Sequence, residues 1–170
     1  MKIILIWFCL LSGICTYSQE VNKKIIDPNS NKEIILGHAT FDGLKASDLF
    51  GHVFTKEYTE YQTDKSDIER FSKALKKTRI KIVMATWCGD SKEQVPRFYK
   101  ILEAAGYNTK KTEIICVDRK KNAGNIDISE LDIKLVPTFI LYKKGKEIGR
   151  IIETPVETLE KDLSKILNTL

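Results

Sequence analysis

The chain has 170 residues, is 42% hydrophobic and 30% charged, and carries a formal net charge of +5. These values are ordinary for one soluble globular domain with an appendage. The lysines are dispersed and no basic cluster is interleaved with aromatics, so the charge reads as solvated surface and excludes a nucleic-acid partner.

The N-terminus reads as a signal peptide over residues 1–18. Lys2 supplies the positive charge, Ile3 to Leu11 form a short apolar core, and Thr16-Tyr17-Ser18 place small residues where a signal peptidase cuts, before Gln19. The run is too short for a comfortable transmembrane helix, so no stable membrane insertion is expected after cleavage. A lipid anchor through Cys15 is disfavoured by the bulk of Ile14, and an uncleaved anchor is the plain alternative. The expected location is periplasmic or secreted, where disulfides persist. Cys9 and Cys15 would leave with the leader, and Cys88 and Cys116 would remain.

Residues 19–38 are polar, with turn chemistry at Asp27-Pro28-Asn29-Ser30-Asn31, and read as a flexible lead-in with a short strand at Glu33–Leu36. Residues 39–64 form an N-terminal extension. Leu49, Phe50, Val53, Phe54, Tyr58 and Tyr61 are spaced for a helix, with Tyr58–Thr63 as an alternative edge strand. The main domain is placed at 65–170. Ser66 and Glu69 suggest a capping box that opens a helix with Ile68, Phe71, Ala74 and Leu75 inward. Ile80 to Thr86 reads as a buried strand. A helix from about Cys88 to Ala105 follows, stopped by Gly106. Glu113–Asp118 is the next strand, and a turn at Gly124-Asn125 and a helical stretch over Ile128–Ile133 come after it. Thr138–Tyr142 and Glu147–Ile152 form a hairpin around Lys144-Gly145, and a last helix runs about Val156 to Leu167. Strand–helix–strand implies parallel pairing, and the hairpin adds antiparallel strands.

The chemistry sits at Trp87-Cys88-Gly89-Asp90-Ser91-Lys92. A cysteine at a strand-to-helix turn faces unpaired amides and the positive end of the helix dipole, so its thiolate is stabilised as a nucleophile. Trp87 shields one side, and Gly89 leaves room for a substrate chain. Asp90 opposes a second negative charge nearby. Ser91 can donate a hydrogen bond to a thiolate but cannot close a disulfide; its plain role is to cap or line the first turn. Cys116 lies in an apolar strand, where a free cysteine is usually core. His38 and His52 form no metal constellation, and no cofactor is expected.

This hexapeptide, with Pro96 further into the helix, resembles the W-C-G-P-C-K turn of the thioredoxin family. Val136-Pro137-Thr138-Phe139 is similar to that family's cis-proline loop, and the turn at Gly145 to the glycine turn after it. The resemblance covers about Ser66 to Leu170. It implies an α/β thioredoxin-like fold: a central mixed sheet flanked by helices, here with a mostly helical N-terminal extension. It implies Cys88 as nucleophile, with Trp87, Gly89, Asp90, Val136, Pro137 and Glu153 around a groove for clients. The departures are specific. Ser91 replaces the second cysteine, Asp90 the proline, Ile82 a buried carboxylate, and Glu153 the glycine that ends the groove. The expected function is a monothiol thiol–disulfide oxidoreductase acting on thiol- or disulfide-bearing clients in the cell envelope, released by an external thiol or a membrane reductant. The alternative is a non-catalytic client-binding module. Cys116 is a secondary candidate for a resolving thiol.

Overall fold

The computed structural model describes residues 20–168. The leader reading over residues 1–18 lies outside them. Strands β1 (Lys24–Asp27) and β2 (Lys32–Ile35) pair antiparallel as a hairpin. Strand β3 (Gly37–Ala39) continues directly into the main sheet, which is completed by β4 (Arg79–Met84), β5 (Thr112–Cys116), β6 (Thr138–Lys143) and β7 (Lys146–Ile152). The five-stranded order is β3-β5-β4-β6-β7, with β4 and β5 parallel and the other three pairings antiparallel.

The turn and the short strand expected near Glu33–Leu36 are present, the latter as β2. The flexible lead-in expected over the rest of 19–38 is corrected, because Ile25 and Ile26 pair with that strand as β1. Ile34 and Ile35 are buried, and β3 supplies an edge of the central sheet. The extension over 39–64 is helical as expected, in two pieces: α1 (Phe41–Lys45) and α2 (Gly51–Glu60). No strand forms at Tyr58–Thr63.

Helix α3 (Lys65–Leu75) starts one cap earlier than expected. Asp64, not Ser66, is the N-cap, and its carboxylate accepts from the Ser66 and Asp67 amides at 2.9 and 3.2 Å. Helix α4 (Gly89–Ala104) follows β4, and α5 (Leu159–Asn168) closes the chain. The last helix begins three residues late because Thr158 takes the capping place, its hydroxyl accepting from the Lys161 amide at 3.2 Å. Val156 stays 89% exposed.

Alternate residues of the central strands face two clusters, as pleating requires. Ile80, Ile82, Met84, Ile114, Cys116, Phe139 and Leu141 join apolar residues from all five helices. Val83, Ala85, Ile115 and Val117 join Ala123 and Val136 on the other face, with Trp87, Cys88, Ile126, Ile128, Leu131 and Ile133 packed against them. Burial on both faces explains why β4 reads as a near-continuous apolar run. The β6–β7 turn takes left-handed φ at Lys144 (51°) and Gly145 (80°), as a two-residue hairpin turn of this hand needs.

Candidate active site

β4 carries the chain to a sharp turn in which the Cys88 amide donates to the Ala85 carbonyl at 3.1 Å. Cys88 then serves as N-cap of α4, with extended backbone (φ −83°, ψ 133°), and its carbonyl accepts from the Lys92 amide at 3.1 Å. The half-exposed thiol donates to the Val136 carbonyl at 3.2 Å and lies 3.9 Å from Asp90 Oδ2. Two segments 48 residues apart in sequence thus meet at the sulfur. The Val136–Pro137 peptide is cis, and both residues are buried.

The other residues singled out from sequence gather here with different jobs. A side chain grown on Gly89 would meet nothing within 4 Å, so the backbone there faces open space. Glu153 follows β7 with φ 61°, and its amide donates to the Pro137 carbonyl at 2.7 Å. A backbone that favours glycine is thus held by a glutamate at the edge of the proline loop. Leu135 and Ile152, 43% and 44% exposed, leave apolar surface beside that loop. The Trp87 indole N–H donates to the Val117 carbonyl at 3.0 Å.

Ser91 is fully buried, and its hydroxyl oxygen accepts from the Ala85 amide at 3.2 Å. It braces the strand-to-helix turn. The hydrogen bond from Ser91 to the Cys88 sulfur expected from sequence does not form among the described residues. The buried position that would hold a second thiol is occupied by a group that satisfies the backbone instead.

Cys116 takes the core place expected of it, and its secondary reading as a resolving thiol is corrected. It pairs with Met84 in the parallel register and points into the helix-side cluster, while Cys88 packs with the cluster on the opposite face. Both thiols are free, and burial pushes the Cys116 thiol up to about 12. A sheet separates it from Cys88, so it cannot reach the mixed disulfide without unfolding β5. Its role is core.

Sequence reasoning missed three residues. The Thr86 hydroxyl accepts from the Ile35 amide at 3.2 Å, which ties the end of β2 to the residue before Trp87. Arg119 sits with its guanidinium 4.7 Å from the Trp87 ring centroid. Asp27, 2% exposed, accepts from Arg119 Nε at 2.8 Å. The D-P-N-S-N turn marked Asp27, but its partner lies 92 residues away. No cluster of metal-ligating side chains occurs among the described residues, and no described helix is long and apolar enough to cross a membrane.

The comparisons with known proteins agree with this geometry. The thioredoxin family pattern matches residues 62–166. Thioredoxin from Coprinus comatus is 32% identical over 105 residues, covering 60% of this chain and 94% of its own length. Human thioredoxin is 29% identical over 101 residues, covering 57% and 90%. A Pseudomonas aeruginosa protein of unknown function shares the fold with a TM-score of 0.58 at 11% identity, over 76% of this chain and 92% of its own. The half-exposed cysteine at the head of α4, the proline loop against it and the matched span lead to one assignment: the chain belongs to the thioredoxin family of thiol–disulfide oxidoreductases.

Proposed function

We propose that the chain is a one-thiol oxidoreductase of the cell envelope that works through mixed disulfides with protein or small-thiol clients. The observation that supports it most is the pairing of a half-exposed Cys88 at a helix start with a buried Ser91 where a resolving thiol would stand. The Cys88 thiolate attacks one sulfur of a client disulfide. The client S–S bond breaks, a Cys88–client S–S bond forms, and the other client sulfur leaves as a thiolate that takes up a proton. Release needs a second thiolate. If it comes from the client, attack on the client sulfur re-forms a client disulfide in a new pairing and returns Cys88 reduced, with no net electron transfer. If it is an external thiol such as a glutathione-type tripeptide, two such thiols are oxidised as the client is reduced. Ser91 cannot serve either path, which suits isomerisation or removal of small-thiol caps better than bulk reduction. The envelope location rests on the Lys2 to Ser18 pattern alone.

A non-catalytic client-binding module is the second reading, and Ile82 favours it. It is fully buried between Ile114 and Phe139 in the sheet, where a proton-transferring carboxylate would have served the resolving step. Intact-mass analysis after incubation with glutathione disulfide separates the two. The enzyme reading expects one glutathione adduct on Cys88, removed by dithiothreitol and absent in Cys88→Ser. It also expects Ser91→Cys to gain reductase activity on insulin. No adduct on the folded wild type, together with an inert Ser91→Cys, would leave the binding reading.

A further inference from the structure

The β1–β2 hairpin lies outside the span matched by the thioredoxin family pattern, yet it reaches the residues around Cys88. Three contacts make the link. The Ile35 amide at the end of β2 donates to Thr86 Oγ1. The Asp27 carboxylate, at the end of β1, holds Arg119, which lies just past β5. Arg119 in turn covers the Trp87 ring.

Asp27 is built for this task. Its Oδ2 accepts from Ser30 Oγ at 2.7 Å and from Arg119 Nε at 2.8 Å, and its Oδ1 accepts from the Asn29 amide at 3.2 Å. The side chain is 3% exposed and fixed on both oxygens, so it offers Arg119 one direction only. The Arg119 side chain is 37% exposed, and alone it would sample many rotamers. Held by Asp27, its planar guanidinium lies within cation–π range of the indole. The Trp87 ring is then fixed twice, by its N–H to the Val117 carbonyl and by Arg119 over the ring.

We propose that Asp27 and Arg119 are positioning residues that lock Trp87 beside Cys88, so that the hairpin sets the shielding of the thiol. This rests on Cys88 being the working thiol of the proposed reaction. Neither residue touches the sulfur's hydrogen-bond partners; both act through Trp87. The hairpin is thus part of the active-site turn's support and more than a cover for the sheet edge.

The test uses the full chain in a Trp7→Phe, Cys9→Ser, Cys15→Ser background, which leaves Trp87 as its only tryptophan and Cys88 and the buried Cys116 as its only cysteines. Arg119→Gln changes a side chain that is 37% exposed, and the amide keeps an N–H donor for Asp27. Acrylamide quenching of Trp87 should rise about twofold and iodoacetamide alkylation of Cys88 about threefold as the ring is released. Asp27→Asn should move both readouts the same way, and the double variant should equal either single one, because each breaks the same link. Arg119→Lys keeps the charge but loses the planar stack and should fall between. Glu33→Gln is the control. It removes the Lys24–Glu33 pair across the hairpin and leaves Arg119 alone, so both readouts should stay at the parent value. Unchanged quenching in Arg119→Gln overturns the proposal, as does raised quenching with unchanged alkylation. An equal rise in Glu33→Gln also overturns it, since hairpin integrity would then explain everything. Alkylation reads access to Cys88 without any redox step, so a missing glutathione adduct would count against the proposed reaction and not against this link.

Discussion

At residue scale, Glu153 holds a backbone conformation that costs an L-residue about 1–2 kcal/mol in the left-handed region (φ 61°). Its amide bond to the Pro137 carbonyl fixes that geometry, so the residue cannot relax by rotating its backbone away. Glu153→Gly removes the strain and adds disorder to the unfolded chain, and the two effects largely offset. Glu153→Val meets the same φ with a β-branched side chain and should lower stability by about 1–3 kcal/mol. Chemical denaturation should therefore rank the glycine variant level with or above the parent and the valine variant well below both. An unaffected valine variant would show that the backbone there is not held. Ser91 shows a different economy. Its hydroxyl satisfies the Ala85 amide, so the loss of a second thiol leaves no unpaired backbone donor at the turn.

At the scale of elements, α1 and α2 enlarge the core and fasten α4. Phe41, Leu44, Phe50 and Phe54 are buried, and the Phe54 ring contacts those of Phe41, Phe50, Tyr58 and Tyr99. Arg97 on α4 binds Glu57 on α2 at 2.7 Å, and Lys100 donates to the Tyr61 carbonyl at 2.7 Å. The buried Glu160 of α5 accepts from the Tyr61 hydroxyl and the Asp64 amide, closing the link from α2 to α3. Phe54→Ala should cost about 3–5 kcal/mol by cavity formation. Because the contacts run to the body of α4 and not to Cys88, thiol alkylation of the folded variant should match the parent; a changed rate would place this extension at the groove. The apolar spacing of Phe50, Phe54 and Tyr58 made the helix legible. The hairpin was legible only in its turn and second strand; β1 was not, because it is four residues long and flanks its two isoleucines with Lys24 and Asp27. The hairpin's long-range ties, Asp27 to Arg119 and the Ile35 amide to Thr86, are ones no local pattern announces. The site divides in the same way. Cys88, Ser91 and Val136-Pro137 could be read from short motifs, whereas Asp27 meets Arg119, Arg119 meets Trp87 and Ile35 meets Thr86 only through the topology.

At the scale of the whole molecule, charge is distributed unevenly along the strands. β4 and β5 run towards the Cys88 end, so their first residues lie at the opposite pole, with the β6–β7 turn. There Lys77, Arg79, Lys81, Lys111 and Lys144 surround a cleft of about 400 Å³. Glu113 is the acid lining that cleft, and it is taken by Lys81 at 3.2 Å. These cations are dispersed in the sequence and gathered by the fold, which is why composition alone read them as ordinary surface. Crowded like charges destabilise the folded state in proportion to the field they share. Lys111→Glu should therefore raise stability by roughly 0.2–1 kcal/mol at low salt, and the gain should shrink at high salt as screening removes the repulsion. The acid limb of the stability curve behaves oppositely. Asp27, held low by Ser30 and then by Arg119 against the opposing effect of burial, and Asp64, held low by Ser66 and the Asp67 amide, both titrate below the ordinary aspartate value of 3.8. A depressed folded-state value stabilises the protein above that pH and loses the contribution as pH falls through it. Thermal melts should therefore be flat from neutral pH down to about 4 for these two groups and then fall. Asp64→Asn should flatten the fall while lowering the plateau, because the neutral amide keeps a weaker cap and no longer titrates. A limb unchanged by Asp64→Asn would assign the acid sensitivity to other carboxylates.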